Sequence, residues 1–150
     1  MRMLCECISK GGNLLISIGP DAEGNIPKET EESMLALGEW TGKYAEAVYP
    51  TEKGPGTEYF LGGSTLSKDK RTMYLFCYDR PNGFLMMNGI RNKQMKVTSL
   101  KNNREMEWNI IGGSPWINMP GQIWIKVREE DIDDVCTVIK VEFEEPIELV

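Results

Sequence analysis

The chain has no histidine anywhere in its 150 residues. That absence removes the usual general base, the commonest metal ligand and every Ser–His or Cys–His nucleophile pair. Paired carboxylates are left as the only catalytic chemistry the composition supports. No window is long and apolar enough to cross a bilayer as a helix, so no membrane partner is expected. Basic residues are few and scattered: 17 Lys and Arg stand against 23 Asp and Glu, for a formal net charge of −6. A chain so balanced, with no basic cluster, is not expected to have a nucleic-acid partner. The four cysteines, Cys5, Cys7, Cys77 and Cys136, make neither a plausible Cys-x-Cys disulfide loop nor a zinc spacing. Cys77 and Cys136 sit in apolar runs and read as small core residues; a bridge between them requires that their strands face each other. No metal site and no cofactor are expected. Met1 to Glu6 carries no hydrophobic leader ahead of Ser9.

What is present starts with Ser9-Lys10-Gly11-Gly12-Asn13-Leu14-Leu15-Ile16-Ser17-Ile18-Gly19-Pro20. Leu14, Leu15, Ile16 and Ile18 form a near-continuous apolar run, the pattern of a strand covered on both faces. Gly19-Pro20 closes it. Such a strand needs neighbours, because alone it leaves two rows of unpaired backbone N–H and C=O groups. Residues 1–50 therefore read as the last piece of something larger. Gly24 suits a positive-φ turn position, and Asp21 can bond its own backbone. Pro27 fits the start of a helix. Glu29, Glu31 and Glu32 then place negative charge at the positive end of the helix dipole. Met34, Leu35, Leu37 and Trp40 recur at helical spacing, and Gly42 marks the helix end or a loosening of it. The unit is strand, turn, helix.

Residues 57–150 have a different rhythm. Short runs rich in Tyr, Phe, Trp, Val and Ile recur about every ten residues between turn signals, as in a sandwich or barrel. The expected strands are Glu58–Leu61, Thr72–Tyr78, Phe84–Met87, Met95–Leu100, Glu107–Ile111, Trp116–Met119, Gln122–Val127 and Cys136–Phe143. Lys140, Glu142 and Glu144 alternate with Ile139, Val141 and Phe143, the pattern of a half-buried antiparallel strand. Two packed sheets are the expected solution.

Ser9 to Pro27 follows the pattern Ser-Lys-Gly-Gly-Asn-Leu-Leu-x-x-Ile-Gly-Pro-x-Ala-x-Gly-x-Ile-Pro. It resembles the signature that closes the catalytic barrel of retaining α-L-fucosidases, glycoside hydrolase family 29. The resemblance continues through Leu37-Gly38-Glu39-Trp40 and Tyr44-Ala45-Glu46-Ala47-Val48-Tyr49. There the family's Asn-Gly pair is replaced by Tyr44-Ala45, and its glycine turn does not carry over. Thr72–Tyr78, Trp116–Pro120 and Cys136–Phe143 are similar to strands of the small β-domain that follows the barrel in such enzymes. The resemblance implies a mainly β chain: an antiparallel β-sandwich preceded by one strand-helix unit left over from a (β/α)8 barrel. Residues 1–50 would be the barrel unit, 51–57 a linker and 58–150 the sandwich. In the parent it implies hydrolysis of terminal α-L-fucosyl linkages through a covalent glycosyl-enzyme intermediate, without cofactor. Fucosylated glycans would be partners through that parent, and the family is usually secreted, periplasmic or lysosomal. The family's nucleophile, acid/base carboxylate and sugar-holding histidines lie upstream of the Gly-Gly-Asn motif and have no counterpart here. No catalytic residue is therefore assigned, and the isolated chain is expected to be inactive.

Three groups of residues compete with that reading. Asp21 and Glu23 lie in a loop after a barrel-type strand, where catalytic residues sit, but Asp also forms such turns. Glu129, Glu130, Asp131, Asp133 and Asp134 form an acidic run without the ligand spacing of a calcium loop; a solvated face is expected. Trp108, Trp116, Trp124, Tyr74 and Tyr78 could form a stacking platform for a sugar, or serve core and rim packing. A weak carbohydrate-binding module is thus the alternative function. A self-associating β-domain, with Asn13–Ile18 adding to a sheet edge of another copy, is a third.

Overall fold

In the computed structural model, which describes residues 1–150 with every side chain but that of Pro115, apolar alternation sorts the strands into two layers. Three helices come first: α1 (Arg2–Ser9), α2 (Lys28–Lys43) and the short α3 (Ala45–Val48). Nine strands follow: β1 (Thr51–Lys53), β2 (Gly63–Ser67), β3 (Thr72–Cys77), β4 (Phe84–Met87), β5 (Met95–Ser99), β6 (Arg104–Glu105), β7 (Trp108–Ile111), β8 (Gln122–Lys126) and β9 (Thr137–Phe143). Six strands pair in the order β1-β2-β3-β9-β5-β6, and three in the order β4-β8-β7. Every named pairing is antiparallel. The expected antiparallel sandwich is the architecture found.

The middle of the six-stranded sheet is buried on both faces. Met73, Leu75 and Cys77 of β3, with Ile139, Val141 and Phe143 of β9, point between the sheets and meet Met87, Ile123 and Ile125 of the small sheet. Tyr74, Phe76 and Val138 point the other way, into a second core with Cys5, Trp40, Tyr44 and Ala47 from the helices. Period-two alternation thus fills two cores from one sheet. Trp40 couples the layers: its Nε1 donates to the Cys136 carbonyl at 3.0 Å, and its ring lies 5.1 Å from that of Tyr44 and 6.1 Å from that of Phe76. Helix α1 packs close to β2 at Gly63, where a Cβ would meet Ser9 Oγ at 2.6 Å and also collide with the Tyr78 hydroxyl.

The strand expected over Asn13–Ile18 does not form. Residues 10–27 contain no regular element, and Leu15 is 95% exposed, with Ile16 and Ile18 about 40% exposed. The reason is the one the pattern itself states: no partner strand lies beside it, so backbone pairing cannot offset the ordering cost. Helix α2 forms as expected and runs through Gly42 to Lys43. Trp116–Met119, expected as a strand, is a single 3-10 turn over Pro115–Ile117 inside the β7–β8 hairpin, closed by a Ser114–Met119 bridge. Asn118 there has a φ of +50°, which a strand cannot accommodate. Glu58–Leu61 contributes only a Phe60–Met87 bridge. Three strands lay outside the expected set. Strand β1 falls in the segment read as a linker, β2 is too rich in Gly, Ser and Thr to stand out, and β6 has only two residues. Helix α1 was not anticipated either.

Candidate functional site

The acidic run is not a uniformly solvated face, as the charge pattern had suggested. Asp131 is fully buried; its carboxylate accepts from the Arg104 guanidinium, with Nε at 3.0 Å, and from the Arg128 backbone N–H at 2.8 Å. Asp133 accepts from the Tyr44 hydroxyl at 2.6 Å and Lys43 Nζ at 2.7 Å, tying the end of α2 to the approach to β9. Burial opposes ionisation of Asp133, but the hydrogen bonds from Lys43, Tyr44 and the Val135 N–H outweigh it and hold the carboxyl at about 2. Burial and the Asp133 carboxylate push the Tyr44 phenol well above its ordinary range. Glu129 and Asp134 remain exposed.

Asp21 is committed to its turn. One oxygen accepts from the Glu23 and Asn25 backbone N–H groups at 3.0 and 2.7 Å, and the other from the Asn25 side chain at 3.3 Å. Among the described residues no group of three or more Cys, Asp or Glu side chains is placed to hold a metal ion. The four cysteines are free; Cys5, Cys77 and Cys136 are buried, and burial pushes the Cys77 thiol up to about 12. Cys136 Sγ donates to the Cys77 carbonyl at 3.3 Å, but the two side chains enter different cores and are not bridged.

The five aromatics weighed as a sugar platform are dispersed. Tyr74 is buried, with its hydroxyl on Glu46 Oε2 at 3.0 Å. Tyr78 lies beneath the Arg2 guanidinium, 5.0 Å from its ring centre. Trp116 stands 96% exposed at the tip of the β7–β8 hairpin. Only Trp108 and Trp124 are brought together. They line a depression of about 200 Å³ on the small sheet with Phe84, Glu107, Asn109 and Lys126. Phe84, which sequence reasoning left out of the set, meets Trp124 edge-on at 6.1 Å. The signal that would have found it is the β4–β8 register, and pairing partners cannot be read from one strand's alternation.

Asp21, Asp131 and Asp133 therefore act as structural acceptors, and the fold defines a β-sandwich module carrying a helical layer. Comparison with known proteins shows what this chain is similar to. Residues 1–46 match the α-L-fucosidase family model. The α-L-fucosidase of Branchiostoma floridae is 27% identical over 117 residues, covering 76% of this chain and 26% of that protein. The Dictyostelium discoideum α-L-fucosidase is 37% identical over 100 residues, covering 65% of this chain and 22% of that protein. Among solved structures, the α-L-fucosidase of Vibrio sp. strain EJY3 superposes with a TM-score of 0.79 at 23% identity, over 99% of this chain and 26% of that one. The Thermotoga maritima α-fucosidase in complex with a mechanism-based inhibitor gives 0.75 at 23% identity, over 93% of this chain and 32% of that one. The chain is thus similar to α-L-fucosidases, and it spans about a quarter of the length of the curated relatives it matches.

Proposed function

We propose that this chain acts as the C-terminal, non-catalytic part of an α-L-fucosidase, closing its catalytic barrel with residues 1–50 and bracing it with the sandwich. The carrying observation is a contrast within one chain. The sandwich has a core on each side of the middle of its large sheet, whereas Leu15, Ile16 and Ile18, inside the family-matched segment, are exposed. Seating Leu15 among the parallel strands of a barrel would contribute about 1.5–3 kcal/mol, and Ile16 and Ile18, already partly covered, less. In the whole enzyme the reaction would be retaining hydrolysis of terminal α-L-fucosyl linkages in fucosylated glycans, by a carboxylate pair supplied by the rest of the barrel. A second copy of this chain is the other occupant that the exposed segment could take. The 150-residue chain alone is expected to release no 4-nitrophenol from 4-nitrophenyl α-L-fucoside; turnover above the buffer rate overturns the non-catalytic reading. An antibody to the chain should detect a native product heavier by roughly the 250 residues of a barrel; a single band at the mass of this chain defeats the barrel-closing role.

A further inference from the structure

We propose that the outer face of the small sheet binds a neutral pyranose ring between Phe84, Trp124 and the Glu107–Asn109 edge of β7. The proposal is independent of the bracing role. Register assigns the face. Ile123 and Ile125 of β8 point into the core with Leu85 and Met87 of β4, so their alternates point outward. Phe84 pairs with Lys126, Met86 with Trp124, and Asn109 with Trp124. Helices cover the outer face of the large sheet; on this one Phe84, Asn109 and Lys126 are exposed.

The lining chemistry is that of a sugar site. Phe84 is 53% exposed on a face that burial does not explain, and with Trp124 it offers apolar ring surface to the C–H face of a pyranose. Around it stand groups of both hydrogen-bonding senses, matching hydroxyls that donate and accept. The Glu107 carboxylate accepts, Lys126 donates, and the exposed Asn109 amide does both. Glu107 is already neutralised: Lys126 Nζ lies 3.1 Å from its Oε2, and the Arg128 guanidinium engages the other oxygen. Those hydrogen bonds, Lys126 first, hold its carboxyl below the usual range. A rim whose opposite charges are paired within itself suits an uncharged ligand better than an anion or a cation.

The test is amide and indole N–H chemical-shift mapping of the isotope-labelled 150-residue chain, titrated separately with methyl α-L-fucopyranoside and methyl β-D-galactopyranoside. The expected result is a saturable shift of the Trp124 indole signal, whereas Trp108, paired with Ile125 and packed against the inter-sheet core, should move less. Trp40, bound to the Cys136 carbonyl, and Trp116, on its hairpin tip, should stay fixed. Asn109→Ala and Glu107→Gln should each weaken binding about fivefold or more, with the rest of the spectrum unchanged. Which sugar saturates at the lower concentration assigns the preferred ring. The proposal is overturned if neither sugar gives a saturable shift by about 50 mM, if all four indoles move alike, or if both variants bind as the parent does.

Discussion

Replacing Asp133 by Asn tests whether the helical layer is held to the sandwich by a charge. Asp133 sits between Lys43 and Tyr44 at the end of α2 and the Val135 and Thr137 region before β9. Its carboxyl is held at about 2, against an ordinary value of 3.8. Ionisation is therefore favoured in the folded state, and the stabilisation amounts to about 2 kcal/mol at neutral pH. The sign follows from a depressed folded value. The contribution is complete above about pH 4, where the unfolded carboxyl is ionised, and fades as pH falls toward 2, where the folded one protonates. Urea unfolding at pH 7 should show Asp133→Asn less stable by about 2 kcal/mol, a midpoint shift of about 1 M at a slope of about 2 kcal/mol per M. The gap between parent and variant should then close as the titration is repeated from pH 5 down to pH 2. A gap that stays constant across that range would mean that Asp133 contributes shape rather than charge, and a gap below about 0.5 kcal/mol at pH 7 would refute the coupling altogether.

Two further outcomes follow from burial and exposure. Trp40→Ala removes a side chain only 3% exposed, together with the hydrogen bond to Cys136; it should cost about 3–5 kcal/mol in urea melts, and Trp40→Phe clearly less. Leu15→Lys changes a residue 95% exposed; thermal unfolding should move by no more than about 0.5 kcal/mol in stability, and any self-association seen by light scattering should fall.

The legible parts of the chain were those whose local pattern coincides with what the fold does. Strands β3, β4, β5, β7, β8 and β9 all lie within the expected runs, because aromatic and β-branched alternation reports half-burial wherever the strand pairs. The elements that escaped owe their state to neighbours. Strand β2 reads Gly-Ser-Thr-Leu-Ser, yet its Thr65 hydroxyl is buried and bonded to the Ala47 carbonyl at 2.8 Å. The same dependence runs in reverse for Asn13–Ile18, whose apolar pattern asks for partners that are not beside it. The acidic run misled for a related reason: a charge count along the chain does not reveal that Arg104, Lys43 and Tyr44 converge on two of its members. Of the candidate sugar face, Trp108 and Trp124 were legible as aromatics. Their company with Phe84 and Glu107 was not, because it is a property of strand order.

A sheet with a core on each side loses the ordinary safeguard against misalignment. In a strand with one wet face, slipping by one residue turns apolar side chains toward water, and the hydrophobic effect rejects it. In β3 the same slip would only exchange the contents of two dry compartments, moving Tyr74 and Phe76 inward and Met73 and Leu75 outward. Polar pegs that fit just one compartment add discrimination: the Tyr74 hydroxyl on Glu46 and, on the adjoining strand, the Thr65 hydroxyl on Ala47. Two hydroxyl groups, each anchored on α3, thus tie the alignment of β2 and β3 to the helix they carry.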